Sequence, residues 1–143
     1  MRKKVTIQNK EYDMCSNAFV LMLHKKEFGV GIMEDIGKLN EYAELITNTE
    51  TKMRKEGKTE EEITSALNDI SIKKSGDILE IGFRLAYTFI KCANKDFMPF
   101  EDWLESLEPD ITGDWITEVA DIATQSFCGQ GPSGPAKLIE EKK

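Results

Sequence analysis

The period of apolar and polar positions changes along the chain, and one stretch stands apart. Between Asp77 and Asn94 the apolar residues Ile78, Leu79, Ile81, Phe83, Leu85, Ala86, Tyr87, Phe89, Ile90 and Ala93 cover most of a helical surface. They leave a narrow polar stripe, Asp77, Glu80, Arg84, Thr88 and Lys91, spaced three or four apart. A helix apolar nearly all round is the buried centre of a domain, packed by neighbours on several sides. This one is too short and too charged to span a bilayer, which needs roughly 20 mostly apolar residues.

Upstream, residues 3 to 14 alternate, with Val5, Ile7, Tyr12 and Met14 apolar, and predict a β-hairpin turning at Asn9-Lys10. An isolated hairpin is marginal in water, so this one should lie against a helix. Ser16 or Asn17 caps the next element, whose apolar side is Ala18, Phe19, Leu21, Met22 and Leu23 and which Gly29 ends. A longer helix is expected from about Ile32 to Arg54, with a packing seam of Ile32, Ile36, Leu39, Ala43, Ile46 and Met53. After Gly57-Lys58, Thr59 and Glu62 make a capping box for a short helix carrying Ile63, Ala66, Leu67 and Ile70, and Ser75-Gly76 leads into the central helix. Pro99 opens an amphipathic helix with Phe100, Trp103, Leu104 and Leu107 inward, and Pro109 stops it. Thr112 or Asp114 starts the last helix, whose buried side is Trp115, Ile116, Val119, Ala120, Ala123 and Phe127. The expected fold is mainly α, a small N-terminal β-hairpin packed on a bundle of about five or six helices. It forms a single domain over residues 1–128, followed by a flexible Gly/Pro-rich tail over 129–143.

At 143 residues the chain is long enough for one core, and 40% hydrophobic with 31% charged residues is a soluble globular composition. The formal charge of −7 argues against a nucleic-acid binder, which needs clustered Lys and Arg for phosphates. The charge is also unevenly placed. No Lys, Arg or His lies between Lys95 and Lys137, whereas Asp96, Glu101, Asp102, Glu105, Glu108, Asp110, Asp114, Glu118 and Asp121 are all acidic. Three scattered cysteines, Cys15, Cys92 and Cys128, read as reduced thiols in a cytosol, not a disulfide framework. The start, MRKKVTIQN, has no apolar run after its basic residues, so neither a signal peptide nor a membrane span is expected.

Candidate chemistry is sparse. Gly129, Gly131 and Gly134 match G-x-G-x-x-G, but that pattern works between a strand and a helix N-terminus, and here a helix precedes it and Pro135 follows. His24, the one histidine, reads as a surface or partly buried helix residue, and the Glu60–Glu62 and Glu101/Asp102/Glu105 groups as solvated faces. No catalytic, cofactor-binding or metal-binding residue is expected, and the chain is read as a non-enzyme. Partner binding is the remaining class. Adaptable methionines (Met22, Met33, Met53, Met98) and aromatic anchors (Phe100, Trp103, Trp115, Phe127) are its candidates, each with core packing as the competing reading. Of these, Met22, Met33, Trp103, Trp115 and Phe127 form the expected partner-binding set.

The order of parts also carries a resemblance. The basic start and KKVTIQNKEYDM hairpin, a helix closing on KKEFG, the helix ILEIGFRLAYTFIKCAN and the acidic MPFEDWLESLEPDIT together resemble the tail assembly chaperones of long-tailed bacteriophages and prophages, over roughly residues 3 to 128. The Thr49–Ile72 stretch is longer than that family's pattern. The resemblance implies a non-enzymatic helical protein of the host bacterial cytoplasm, absent from the mature virion. Such a protein binds and solubilises the tape-measure protein and promotes assembly of the major tail (tube) protein, and self-association along the tape-measure helix is a further expectation. Many members also occur in a longer frameshifted form, and a Gly/Pro-rich tail ending in Lys142-Lys143 suits a linker into one. The readings that compete with it are a DNA-mimicking inhibitor of a basic partner, motivated by the acidic run, and a structural virion component.

Overall fold

The structure, a computed structural model, describes residues 1–108 and 114–127. Strands β1 (Arg2–Ile7) and β2 (Lys10–Cys15) pair antiparallel, with Val5 opposite Tyr12 and Lys3 opposite Met14. The alternation works as expected: Val5, Ile7, Tyr12 and Met14 are buried, while Lys4, Glu11 and Asp13 face solvent. The turn is Gln8-Asn9, one residue earlier than the pattern suggested. Both residues have positive φ, 51° and 68°, as a two-residue turn requires if its twist is to match the strands. Asn tolerates that region, and Gln8 is held in it by its own side chain. Its Nε2 donates to the Glu108 carbonyl at 2.6 Å and its Oε1 accepts from the Glu108 N–H at 2.8 Å.

Five helices follow: α1 (Phe19–Phe28), α2 (Ile32–Lys55), α3 (Glu60–Ala93), α4 (Phe100–Glu105) and α5 (Trp115–Phe127). Asn17 Oδ1 accepts from the Phe19 N–H at 2.9 Å, and Gly29, at φ 74°, ends α1 by donating to the Lys25 carbonyl. The buried face of α1 differs from the expected one. Val20 and His24 point inward with Phe28 beside them, while Phe19, Leu21 and Met22 lie exposed. A short helix apolar on several sides has no preferred rotation of its own, so contacts outside it decide.

The expected short helix and central helix are one helix of 34 residues, about 50 Å long at ~1.5 Å per residue. Its start is the anticipated capping box, with Thr59 Oγ1 accepting from Glu62 N–H and Glu62 Oε1 from Thr59 N–H, each at 3.1 Å. Ser75-Gly76 does not interrupt it. A helical Gly costs only about 1 kcal/mol relative to Ala, and the apolar phase runs through it from Ile63, Leu67 and Ile70 to Ile78, Ile81 and Leu85.

The chain thus divides into an arm and a body. From residue 37 to residue 80 only Ile63 is buried, so the second half of α2 and the first half of α3 pack chiefly on each other. Their seam uses Tyr42 in place of the expected Ala43, which is exposed; the Tyr42 hydroxyl lies 3.0 Å from Ser71 Oγ. In the body, Leu85, Ala86, Tyr87, Phe89 and Ile90 of α3 are buried beneath the hairpin, α1, α4 and α5. Trp103 is fully buried, meets Tyr12 edge-on at 6.0 Å and donates its Nε1–H to the Tyr12 hydroxyl at 3.2 Å. Trp115 stacks on Phe83 at 5.0 Å and lies over Gly82, where an added Cβ would come within 3.3 Å of its ring. The roles of Pro109 and Thr112 as stop and start signals, Cys128, the Gly129–Gly134 pattern and the tail lie outside the described residues.

Continuity of α3 gives a direct test. A Cβ at Gly76 would meet nothing within 4 Å, so Gly76→Ala should stabilise the protein by about 0.5–1 kcal/mol in urea unfolding. A loss of stability would mean that the chain turns at Gly76.

Candidate functional site

Where α1, α2 and α3 cross, the apolar core is interrupted by a chain of polar side chains. His24, Asp35 and Thr88 are each 0% exposed. His24 Nδ1 lies 2.7 Å from Thr88 Oγ1, and His24 Nε2 lies 2.7 Å from Asp35 Oδ2. The Thr88 hydroxyl also donates to the Arg84 carbonyl one turn back, at 3.0 Å. Arg84 grips the same carboxylate with two bonds, Nε to Oδ2 at 3.1 Å and Nη2 to Oδ1 at 2.8 Å. Its remaining Nη1 reaches the exposed Glu80 at 2.6 Å, carrying the chain to the surface.

Each position has a local cause. Arg84 and Thr88 sit four apart on α3, in the polar stripe, and so present one face. Asp35 shares the inward side of α2 with Ile32 and Ile36, all three buried. Burial alone would raise the Asp35 carboxyl, but the hydrogen bonds from His24 and then Arg84, with the guanidinium charge, outweigh it and hold the group below its ordinary 3.8. Burial of Arg84 pulls the other way from Asp35, whose bond is the larger effect and raises the guanidinium further. Asp35 is an anion fixed among donors.

Threonine, histidine and aspartate in that order follow the nucleophile, base and carboxylate of a hydrolytic triad. The arrangement does not perform that chemistry here, because all three members are sealed from solvent and the Thr88 hydroxyl is engaged with backbone. What the network does is structural: it ties three helices in one rotation and register. Sequence reasoning placed His24 at or near the surface and passed over Asp35. The available signal was a lone acid on the inward phase of α2, between Ile32 and Ile36.

Beside the network a groove of about 580 Å³ runs between α2 and α3, with Tyr42, Leu45 and Ile78 among its apolar walls. Lys38, Lys74 and Arg84 line it together with Glu41, Asp77 and Glu80, so its charges balance. It favours neither an anion nor a cation by its field. Among the described residues, no three His, Cys, Asp or Glu side chains are placed to hold a metal ion, and no helix is long and apolar enough to cross a membrane.

The expected partner-binding residues separate by location. Met22 is 72% and Met33 48% exposed, and both lie at the surface with Phe19 and Leu21. Trp103 and Trp115 are core residues at 0% and 3% exposure, and Phe127 is half-buried against the core. The amphipathic phase of α4 and α5 that made these aromatics conspicuous is what turns them inward. Compared with models of protein families, with curated proteins and with solved structures, the chain matches none.

Removing one member of a buried ion pair strands its partner, so Asp35→Ala should cost about 3–5 kcal/mol in denaturant unfolding, whereas Glu80→Ala, at the exposed end, should cost no more than about 1 kcal/mol. The pH dependence has a definite sign. A native carboxyl held below its unfolded value binds fewer protons than the unfolded chain, so its stabilisation is present above 3.8 and is lost as pH falls through the lower native value. Urea unfolding of the native sequence and Asp35→Asn from neutral pH downward should show a stability gap that narrows only in that acid range; a gap independent of pH would refute the assignment.

Proposed function

We propose that this chain is a non-enzymatic tail assembly chaperone of long-tailed bacteriophage type. In this reading it binds and solubilises the tape-measure protein in the host bacterial cytoplasm, promotes assembly of the tail-tube protein around it and is left out of the mature virion. The observation that carries the proposal is the apolar surface that the fold leaves uncovered while its core is full. Phe19, Leu21 and Met22 of α1 and Met33 of α2 are exposed, whereas other large apolar side chains such as Trp103 and Phe89 are wholly buried. A long amphipathic helix offers repeated apolar side chains without a unique sequence, and flexible methionines adapt to such a series. The acidic rim keeps this surface soluble: Asp96, Glu101, Asp102, Glu105, Glu108, Asp114 and Asp121 are exposed and Glu118 is half-buried. Hairpin, helix order and acidic helices add the resemblance set out above.

That rim also supports a second reading, an acidic helical inhibitor that occupies the DNA site of a basic protein. The two separate by salt. Apolar docking persists or strengthens at high ionic strength, whereas charge mimicry fades as the screening length drops to about 3 Å at 1 M.

Co-expression with the long helical protein encoded just downstream should render that product soluble and retain it through purification. Met22→Asp and Met33→Asp, both at exposed positions, should leave the fold intact and weaken co-purification about tenfold or more if these residues are anchors. An unchanged yield from both variants would remove α1 and α2 from the binding surface. No solubilisation by the native sequence, with or without a frameshifted extension, would reject the chaperone reading.

A further inference from the structure

We propose that Cys15 and Cys92 form a dithiol modification site, which a small disulfide oxidant closes into a cross-link between the hairpin and α3. The inference is independent of the assembly role. Cys15 is the last residue of β2 and Cys92 the next-to-last of α3; both are free thiols. One side chain gathers them. The Asn17 carboxamide donates through Nδ2 to Cys15 Sγ at 3.8 Å, and its Oδ1 accepts from the Cys92 thiol at 3.6 Å while also capping Phe19. Asn17 is fixed by that cap, so both sulfurs rest on one rigid amide. Their accessibility differs: Cys15 is 7% exposed and Cys92 is half-buried. Reagents therefore enter at Cys92.

The Cys92 thiol is not a fast nucleophile at neutral pH. Burial, and then the Cys15 sulfur beside it, push it up to about 11, against the weaker pull of Arg2 and Lys95. With oxidised glutathione as oxidant, the Cys92 thiolate attacks one sulfur, the glutathione S–S bond breaks, and one glutathione leaves as thiolate. The Cys15 thiolate then attacks the Cys92 sulfur of the mixed disulfide and expels the second. Two protein thiols are oxidised to one disulfide and one oxidant molecule is reduced to two thiols, which take up the two protons released by the protein. A neighbouring thiol already in place makes the second step intramolecular. The first step quickens roughly tenfold per pH unit below that value, as the thiolate fraction rises.

The test uses the full chain with Cys128→Ser, incubated with oxidised glutathione at mildly alkaline pH, quenched with acid, alkylated, and digested without reduction. Mass spectrometry should find a Cys15–Cys92 linked peptide and no retained glutathione. Thermal unfolding should shift upward by roughly 5 °C or more, because the link closes a long loop of the unfolded chain. Cys15→Ser in the same background should instead keep glutathione on Cys92. A stable glutathione adduct on Cys92 with Cys15 present and unlinked would overturn the proposal, as would linkage that forms only in urea. The same mapping on the unsubstituted chain guards against an effect of Cys128→Ser: dominant links from Cys128 to either thiol would also overturn it.

Discussion

Asp35 is the constraint on which the remainder of the body depends. A carboxylate removed from water costs several kcal/mol unless opposite charge and hydrogen bonds replace the solvent. Here they come from two other helices, His24 on α1 and Arg84 on α3, and each must be correctly rotated to reach it. The network fixes α1 with His24 and Val20 inward, and thereby sends Phe19, Leu21 and Met22 outward. A buried polar requirement in one place thus creates an exposed apolar surface in another. The surface proposed for partner recognition follows from the ion pair beneath it.

Helix α3 serves two structures at once. Its first half forms the arm with α2, where the seam is thin and half-open, and its second half is the hub of the body. The apolar phase is common to both, so bending at the junction would break it on one side or the other. This explains why one mid-helix glycine is tolerated. At the hub the opposite rule holds: Gly82 is small because the Trp115 ring lies directly over it.

Much of this was legible in the chain because local rules and the tertiary structure agree. The hairpin alternation, the Thr59–Glu62 capping box, the Gly29 terminus and the inward phase of α4 and α5 each rest on interactions spanning a few residues. Misreadings arose where a distant contact decided. The hairpin turn shifted to Gln8-Asn9, where Gln8 is held by the backbone of Glu108. The rotation of α1 was set by Asp35 and Thr88, and Tyr42 displaced Ala43 from the arm seam with Ser71 as its neighbour. The buried network itself was hidden because each member has an ordinary surface explanation alone. Only the fold makes the explanation joint.

The pairing of Gln8 with Glu108 has a further consequence during synthesis. The hairpin leaves the ribosome before α3 to α5, yet the side chains that cover Val5, Ile7, Tyr12 and Met14 come from those helices, and the Tyr12 hydroxyl waits for Trp103. At about 5–20 residues per second, the first strands stand uncovered for roughly 5–20 s before the segment that closes over them is made. The hairpin is therefore made well before the segments that bury it. Its charged outer face, where Lys4 lies 3.5 Å from Glu11 and 3.7 Å from Asp13, keeps a sticky ribbon soluble through that interval.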